Sequence, residues 1–181
     1  KKKCIFKMAA IDELVKVENA QEKYSFSQQD HIFKSQLDQR GISEQDTQAK
    51  FQFIHLNGAH VPFIYDENMN IIDEEEGTYE QTMLAVLSGA GNYVEKLRGS
   101  GAYDNTVLII MADHGYNGSL DESGEEAWMR QCPLLLIKGM GETHDTMQIS
   151  QAPISFEDLQ EAYTRLLDGK QSTAAFDWKE G

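Results

Sequence analysis

Apolar residues recur along this chain with the spacings of strands and helices in alternation. Continuous apolar runs predict three strands, at residues 51–56, 106–112 and 132–137. Helical spacing predicts a short helix over residues 8–17, a long helix over 79–98 and a last helix that begins after Ser155. This mixture of elements predicts a protein of the α/β class.

The two later helices have recognisable first residues. Thr78 is the predicted N-cap of the long helix, and the acidic run 73–76 before it is interpreted as a solvated loop whose charge favours the helix dipole. Ser155 and Asp158 form a predicted capping box. The apolar face predicted for the long helix comprises Met83, Val86, Leu87, Tyr93, Val94 and Leu97, and that of the last helix Phe156, Leu159, Tyr163, Leu166 and Leu167. Glycines within Ser88–Gly91 predict either close packing against a strand or a kink.

The first fifty residues are the least informative part of the chain. Residues 21–50 are polar and rich in glutamine, and the expected buried anchors there are His31, Ile32, Phe33 and Leu37. His31 is interpreted as a surface or half-buried residue rather than a ligand. Because no repeat or low-complexity linker divides the sequence, we predict one domain over residues 1–181.

Composition and charge narrow the classes of protein. A chain of 181 residues with 40% hydrophobic content can build a core, and no stretch approaches the roughly 18 to 20 apolar residues of a membrane span. We therefore expect a soluble chain, with no signal peptide visible. The net charge of -14 argues against a nucleic-acid partner and means that an anionic substrate must be attracted locally. Cys4 and Cys132 form no metal motif, and whether they pair is left open.

The most informative segment is the strand 106–112 with the residues that follow it, Asp113, His114 and Gly115. A carboxylate and an imidazole at the carboxyl end of a strand lie where α/β folds place their chemistry. Gly115 permits a sharp turn, so both side chains can converge on a divalent metal such as zinc or manganese. The alternative is a strand end with a solvated Asp and a capping His.

Two motifs together resemble the sulfatase branch of the alkaline phosphatase superfamily, especially phosphoethanolamine transferases and lipoteichoic acid synthases. One motif is Gly58-Ala-His60-Val-Pro62-Phe63, and the other is the Tyr103-Asp-Asn-Thr106 segment that leads to Asp113-His114-Gly115. The resemblance covers about residues 50–167. It implies a partial alkaline-phosphatase-like, three-layer fold with a mostly parallel central sheet, in which 51–56 and 106–112 are parallel neighbours or near neighbours.

The resemblance also implies a chemistry. Asp113 and His114 would be metal ligands for Zn, Mn, Ca or Mg, and His60 would contact a sulfate or phosphate ester or protonate its leaving group. The family's nucleophile and its upstream acid are not apparent, so we expect the carboxyl-terminal half of a longer enzyme, inactive by itself. The parent would act on the extracytoplasmic side of a bacterial membrane, with an anchor in the missing part. It would transfer or hydrolyse esters such as phosphoethanolamine or glycerol phosphate on a cell-envelope glycan.

The residues alone leave open the function of the chain and the roles of two histidines. The chain could be a non-catalytic module of the same fold that binds a partner or an anionic glycan. His144, beside Asp145, could join a second metal but is interpreted as a surface residue, and His55 is expected in the core or behind the site, on the face shared with Phe51 and Phe53.

Overall fold

The computed structural model describes residues 28–42, 50–115, 133–169, 176 and 178. Its regular elements follow in chain order: α1 (Gln29–Arg40), α2 (Tyr79–Ser100), a 3-10 turn (Tyr103–Asn105), β1 (Leu108–Met111), β2 (Leu135–Lys138) and α3 (Phe156–Leu167). This mixture confirms an α/β protein in the general sense. The helix predicted over 8–17 and both cysteines lie outside the described residues.

The chain divides into two compact units, residues 1–103 and 104–181, which we call unit 1 and unit 2 and describe separately. The prediction of one domain over residues 1–181 stays a prediction. None of the described helices has the length and apolar character needed to cross a membrane.

In unit 1, a tight loop over residues 64–72 supplies most of the core. Tyr65 and Ile71 form an isolated antiparallel bridge, and the Asp66 carboxylate accepts hydrogen bonds from the backbone N–H groups of Asn68 (2.9 Å) and Asn70 (2.8 Å). This arrangement turns the chain within a few residues and places Tyr65 and Met69 inside, each only 1% exposed. They pack with Ala85 of α2 into the buried cluster of this unit.

Helix α2 begins where the sequence predicted, because Thr78 and Gln81 form a capping box. Its buried face differs from the prediction. The buried residues are Thr82, Ala85, Gly89 and Leu97, whereas Leu87 is 41% exposed. The reason is Met69: a Cβ built on Gly89 would lie 2.8 Å from Met69 Cε, so small residues face this side chain. Of the two interpretations of the helix glycines, Gly89 supports close packing, although its neighbour is a loop and not a strand.

Helix α1 lies against α2 in the same unit. Asp38 Oδ1 accepts a hydrogen bond from Asn92 Nδ2 at 2.8 Å, and the rings of Phe33 and Tyr93 are 6.4 Å apart. Leu37 is buried, as expected for an anchor. The other buried residue of α1 is Asp30, which is 1% exposed.

The strand predicted at residues 51–56 is absent: this segment has no ladder hydrogen bonds. Phe51 and Phe53 are 45% and 57% exposed, and His55 is exposed as well, so the predicted inner face of this segment is wrong. The segment is linked to α2 by a side-chain contact, in which Tyr93 Oη donates to Gln52 Oε1 at 3.0 Å. Apolar alternation alone did not make a strand here, because a strand depends on pairing with another segment as well as on its own pattern.

In unit 2, β1 and β2 pair antiparallel, with Leu108 opposite Lys138 and Met111 opposite Leu135. Both strands lie within or next to their predicted ranges, but β1 is half-buried and exposed at Met111 rather than fully buried. The sheet in the described residues is therefore two-stranded and antiparallel, and a parallel central sheet is not shown.

Helix α3 confirms the predicted capping box of Ser155 and Asp158. The Asp158 carboxylate accepts from Ser155 N at 2.7 Å, and Asp158 N donates to Ser155 Oγ at 3.4 Å. Leu159 and Ala162 are its buried residues, whereas Phe156 and Leu167 of the predicted face are 52% and 47% exposed. Tyr163 Oη lies 3.7 Å from Met111 Sδ and brings this helix beside β1.

Candidate functional site

Asp113 and His114 follow β1 directly, as the sequence predicted for this strand end. The ladder continues one residue past β1, since Ala112 N donates to Leu134 O at 3.0 Å. Beyond that point both side chains are largely exposed, 84% for Asp113 and 58% for His114. The strand therefore delivers a carboxylate and an imidazole to the surface of unit 2.

Local hydrogen bonds give this pair a defined arrangement. Asp113 Oδ1 accepts from the His114 backbone N–H at 3.0 Å, and His114 Nδ1 lies 2.7 Å from Gly115 O. A carbonyl oxygen can only accept, so Nδ1 carries the ring proton, and Nε2 of the neutral ring has the lone pair. This is the second contact that a metal-binding histidine ordinarily makes.

The two atoms that would bind a metal are close to each other. Asp113 Oδ2 and His114 Nε2 are 3.7 Å apart. Two ligands about 2.0–2.2 Å from one zinc ion lie roughly 3.3–3.5 Å apart at a tetrahedral angle. Exposed side chains can close the small difference by rotation, so the donor set fits two positions of one ion. The described residues contain no group of three or more His, Cys, Asp or Glu arranged for a metal.

His60 lies in unit 1, on a loop that we define as residues 57–63 and call the His60 loop. Gly58 has φ +71°, a left-handed conformation that favours glycine, and it turns the chain before His60. The imidazole is exposed, and its Nδ1 lies 2.6 Å from Val61 O. By the same reasoning as for His114, Nε2 of the neutral ring has the lone pair and can accept a proton or a hydrogen bond.

The amino-terminal end of the His60 loop is held by a residue that sequence reasoning missed. Asp30 Oδ1 accepts from Asn57 N at 2.7 Å, and Asp30 Oδ2 accepts from Gly58 N at 3.0 Å. The sequence offers one signal for this role: Asp30 is seven residues before Leu37, so both occupy the same face of α1. A carboxylate on a helix face with a buried leucine is an unusual position that indicates a partner.

Burial raises the pKa of the Asp30 carboxyl above its usual value. The N–H groups of Asn57 and Gly58 and the charge of His55 act in the opposite direction, because they stabilise the ionised form. Desolvation is the larger effect. The carboxylate is therefore held in an unfavourable environment by its two backbone donors.

The carboxyl-terminal end of the His60 loop packs on the segment that leads into α2. A Cβ built on Gly77 would lie 1.7 Å from Phe63 O, so only glycine allows this approach of two backbones. The ring of Phe63 makes an edge contact with Tyr79, with centroids 6.0 Å apart. The loop is thus fixed at both ends, and His60 is exposed between them.

Two other histidines have local partners. His31 is half-buried as expected, and its Nδ1 lies 2.9 Å from Met69 O. His144 is an exposed residue, in agreement with its interpretation: its Nε2 is 2.8 Å from Glu142 Oε1. The backbone N–H of Gly139 and the His144 ring lower the pKa of Glu142. In the described residues neither histidine belongs to a group of three or more His, Cys, Asp or Glu side chains that could hold a metal.

The acidic run 73–76 is a solvated turn, as interpreted from sequence. All four side chains are exposed, and Glu76 N donates to Asp73 O at 2.9 Å.

No family model, curated protein or solved structure matches the chain.

Proposed function

We propose that this chain is part of a metal-dependent enzyme of the sulfatase branch of the alkaline phosphatase superfamily, one that hydrolyses or transfers sulfate or phosphate esters. The observation that supports it most is the pair at the end of β1. Asp113 Oδ2 and His114 Nε2 are 3.7 Å apart, and the other ring nitrogen is hydrogen-bonded to Gly115 O. With Nδ1 used in this way, the lone pair of the neutral ring is on Nε2, the nitrogen beside Asp113 Oδ2.

In this proposal Asp113 and His114 hold one divalent ion, Zn, Mn, Ca or Mg, in unit 2. Such an ion, when bound, neutralises ester oxygens and lowers the pKa of an attacking hydroxyl. The exposed Asp113 and His114 side chains leave room for an ester beside them. The net charge of -14 makes a local cation necessary, since an anionic ester is otherwise repelled.

We assign to His60 of unit 1 the role of contacting the ester or of protonating its leaving group. Its Nδ1 is used by Val61 O, so Nε2 is the atom that exchanges a proton or a hydrogen bond with substrate. In this proposal the nucleophile, a further metal-binding acid and a membrane anchor belong to other parts of a longer protein. We propose that this longer protein has the three-layer fold with a mostly parallel sheet and acts on the extracytoplasmic side of a bacterial membrane. Its donors would be esters such as phosphoethanolamine or glycerol phosphate.

Metal binding by the chain itself tests the first part. Titration calorimetry with Zn²⁺ and Mn²⁺ is expected to give weak one-site binding that is lost in Asp113→Ala and in His114→Ala. His144→Ala is the matched control, because it removes an exposed imidazole of the same unit that pairs with Glu142. Equal loss in the control variant, or binding unchanged in the two site variants, would contradict the metal site.

Turnover tests the second part. Residues 1–181 alone should not cleave p-nitrophenyl phosphate, p-nitrophenyl sulfate or a phospholipid donor, since no nucleophile has a recognisable setting. A longer protein that contains this chain should cleave or transfer at least one of them, and His60→Ala or Asp113→Ala should lower its kcat by a factor on the order of 10³ or more. Inactivity on every such ester, with intact folding, would favour a non-catalytic module that binds a partner or an anionic glycan.

A further inference from the structure

We infer that Asp30 is a positioning residue for His60: its buried carboxylate fixes the backbone from which the imidazole is presented. The inference rests on the proposed function for the catalytic role of His60, but the fixing itself is independent of that role. Asp30 does not contact the ester in this scheme. It acts through the backbone of the His60 loop.

The contact is specific in its geometry. The two carboxylate oxygens of Asp30 accept one N–H each, from Asn57 at 2.7 Å and from Gly58 at 3.0 Å. These are charge-assisted hydrogen bonds, which are shorter and stronger than bonds between neutral groups. They join segments 27 and 28 residues apart in sequence and end two residues before His60. A displacement of Asn57 and Gly58 is therefore transmitted directly to His60.

A carboxylate is chemically required for this pattern. Two successive N–H groups need two acceptor oxygens, and an amide of the same size offers only one, with two further donors. Since Asp30 is 1% exposed, water does not replace a lost acceptor there. The raised pKa of Asp30, caused first by burial, shows that the ionised side chain is disfavoured in this position.

The second fixed point makes positioning effective. At the other end of the loop the Phe63 backbone packs on Gly77, so the residues between Gly58 and Phe63 are held from both sides. His60 is exposed between these points, with its ring fixed by Val61 O. Loss of the Asp30 contact frees one end only. The expected result is a folded chain with a displaced imidazole, and misplacement of a catalytic group by about 1 Å can lower a rate on the order of 10²-fold.

The first arm of the test uses nuclear magnetic resonance on residues 1–181. Wild-type protein should show through-hydrogen-bond couplings from the Asp30 carboxyl carbon to the amide nitrogens of Asn57 and Gly58. In Asp30→Asn, order parameters of amides 57–60 should fall from about 0.85 to below about 0.6, with those of α2 unchanged. The control is Asp38→Asn, the same substitution in α1 at an exposed carboxylate that accepts from Asn92 and Lys34.

The second arm measures ester turnover in the longer protein, corrected for folded fraction. Asp30→Asn should lower kcat about a hundredfold with KM changed less than threefold, and Asp38→Asn should change neither. Absence of both couplings in the wild type, or unchanged order at residues 57–60 in Asp30→Asn, overturns the inference even if the variant folds poorly. A kcat loss matched by Asp38→Asn also overturns it. If wild-type protein cleaves no ester, the proposed function fails, and the first arm alone decides whether Asp30 fixes the loop.

Discussion

The His60 loop and the Asp113–His114 turn present histidines in similar chemical states, but the two segments are held in opposite ways. In both, Nδ1 is bonded to a nearby backbone carbonyl, at 2.6 Å for His60 and 2.7 Å for His114. The His60 loop is fixed by distant residues, Asp30 on one side and Gly77 on the other. The Asp113–His114 turn is held by contacts between adjacent residues only, as far as the described part of unit 2 shows.

This difference indicates where each segment obtains its precision. Local bonds orient the Asp113 and His114 side chains relative to each other but allow both to move, as the proposed binding of a metal ion would require. Long-range bonds instead fix a backbone in place, as the proposed contact of His60 with a substrate would require. Substitutions in the two segments should therefore have different effects on stability.

The largest effect is expected at Gly77. In Gly77→Ala the new Cβ would lie 1.7 Å from Phe63 O and 2.6 Å from Phe63 C, both backbone atoms, so the His60 loop must shift. We expect a loss of about 3 kcal/mol in the free energy of unfolding, at the upper end of ordinary overpacking. Urea denaturation followed by circular dichroism measures it.

Gly91→Ala is the matched control for this prediction. A Cβ on Gly91, within α2, meets nothing within 4 Å. Alanine should stabilise the helix there by about 0.5–1 kcal/mol. Similar losses in both variants would mean that the contact between Gly77 and Phe63 is not a fixed point of the loop.

The sequence predicted the local parts of this molecule better than the long-range parts. The N-cap at Thr78, the capping box of Ser155 and Asp158 and the end of β1 follow from neighbouring residues, and the structure has them where they were expected. The prediction of a strand at 51–56 was wrong because strand pairing depends on a partner strand that a local pattern does not specify. Asp30 was missed for the same reason, since its hydrogen-bond partners are almost thirty residues away in sequence and the sequence around it is polar.

The predicted face of α2 was right at Leu97 but missed Ala85 and Gly89, for a different reason. Apolar spacing selects large side chains, but here Met69 enters from a loop and requires Ala85 and Gly89 opposite it. The roles of His60, Asp113 and His114 depend on a ligand as well as on the fold, so they stay predictions. Their local geometry was predictable only as far as adjacent residues determine it.

An intermediate effect is expected from the titration of Asp30. Because burial raises its pKa above the usual 3.8, the folded state binds this proton more tightly than the unfolded chain does. The stability contributed is fully present below pH 3.8 and is lost as the pH rises through the raised pKa. Asp38, Asp66 and Asp158 have lowered pKa values and give the opposite slope.

The measurement is therefore a difference between two proteins. The free energy of unfolding of wild type minus that of Asp30→Asn, followed from pH 3 to pH 7, should fall as the pH rises. Asp38→Asn serves as the control and should give the opposite trend, because hydrogen bonds from Asn92 and Lys34 lower the pKa of the Asp38 carboxyl. A difference that rises with pH would show that the Asn57 and Gly58 hydrogen bonds outweigh desolvation at Asp30.

The smallest effect is expected from Asp113→Asn in metal-free protein. The Asp113 side chain is 84% exposed, and among the described residues its carboxylate accepts from the next backbone N–H alone, so its replacement should change the free energy of unfolding by less than about 0.5 kcal/mol. Addition of Zn²⁺ should separate the two proteins, since a ligand that binds the folded state stabilises it by about RT ln(1 + [L]/Kd). Wild type should gain about 1.4 kcal/mol at a free zinc concentration near tenfold Kd, and Asp113→Asn should gain much less.

Asp145→Asn is the control: it replaces an exposed carboxylate of the same unit and should respond to zinc as the wild type does. A loss above about 1 kcal/mol without metal would show that Asp113 supports the fold of unit 2, and the contrast with Asp30 would then disappear.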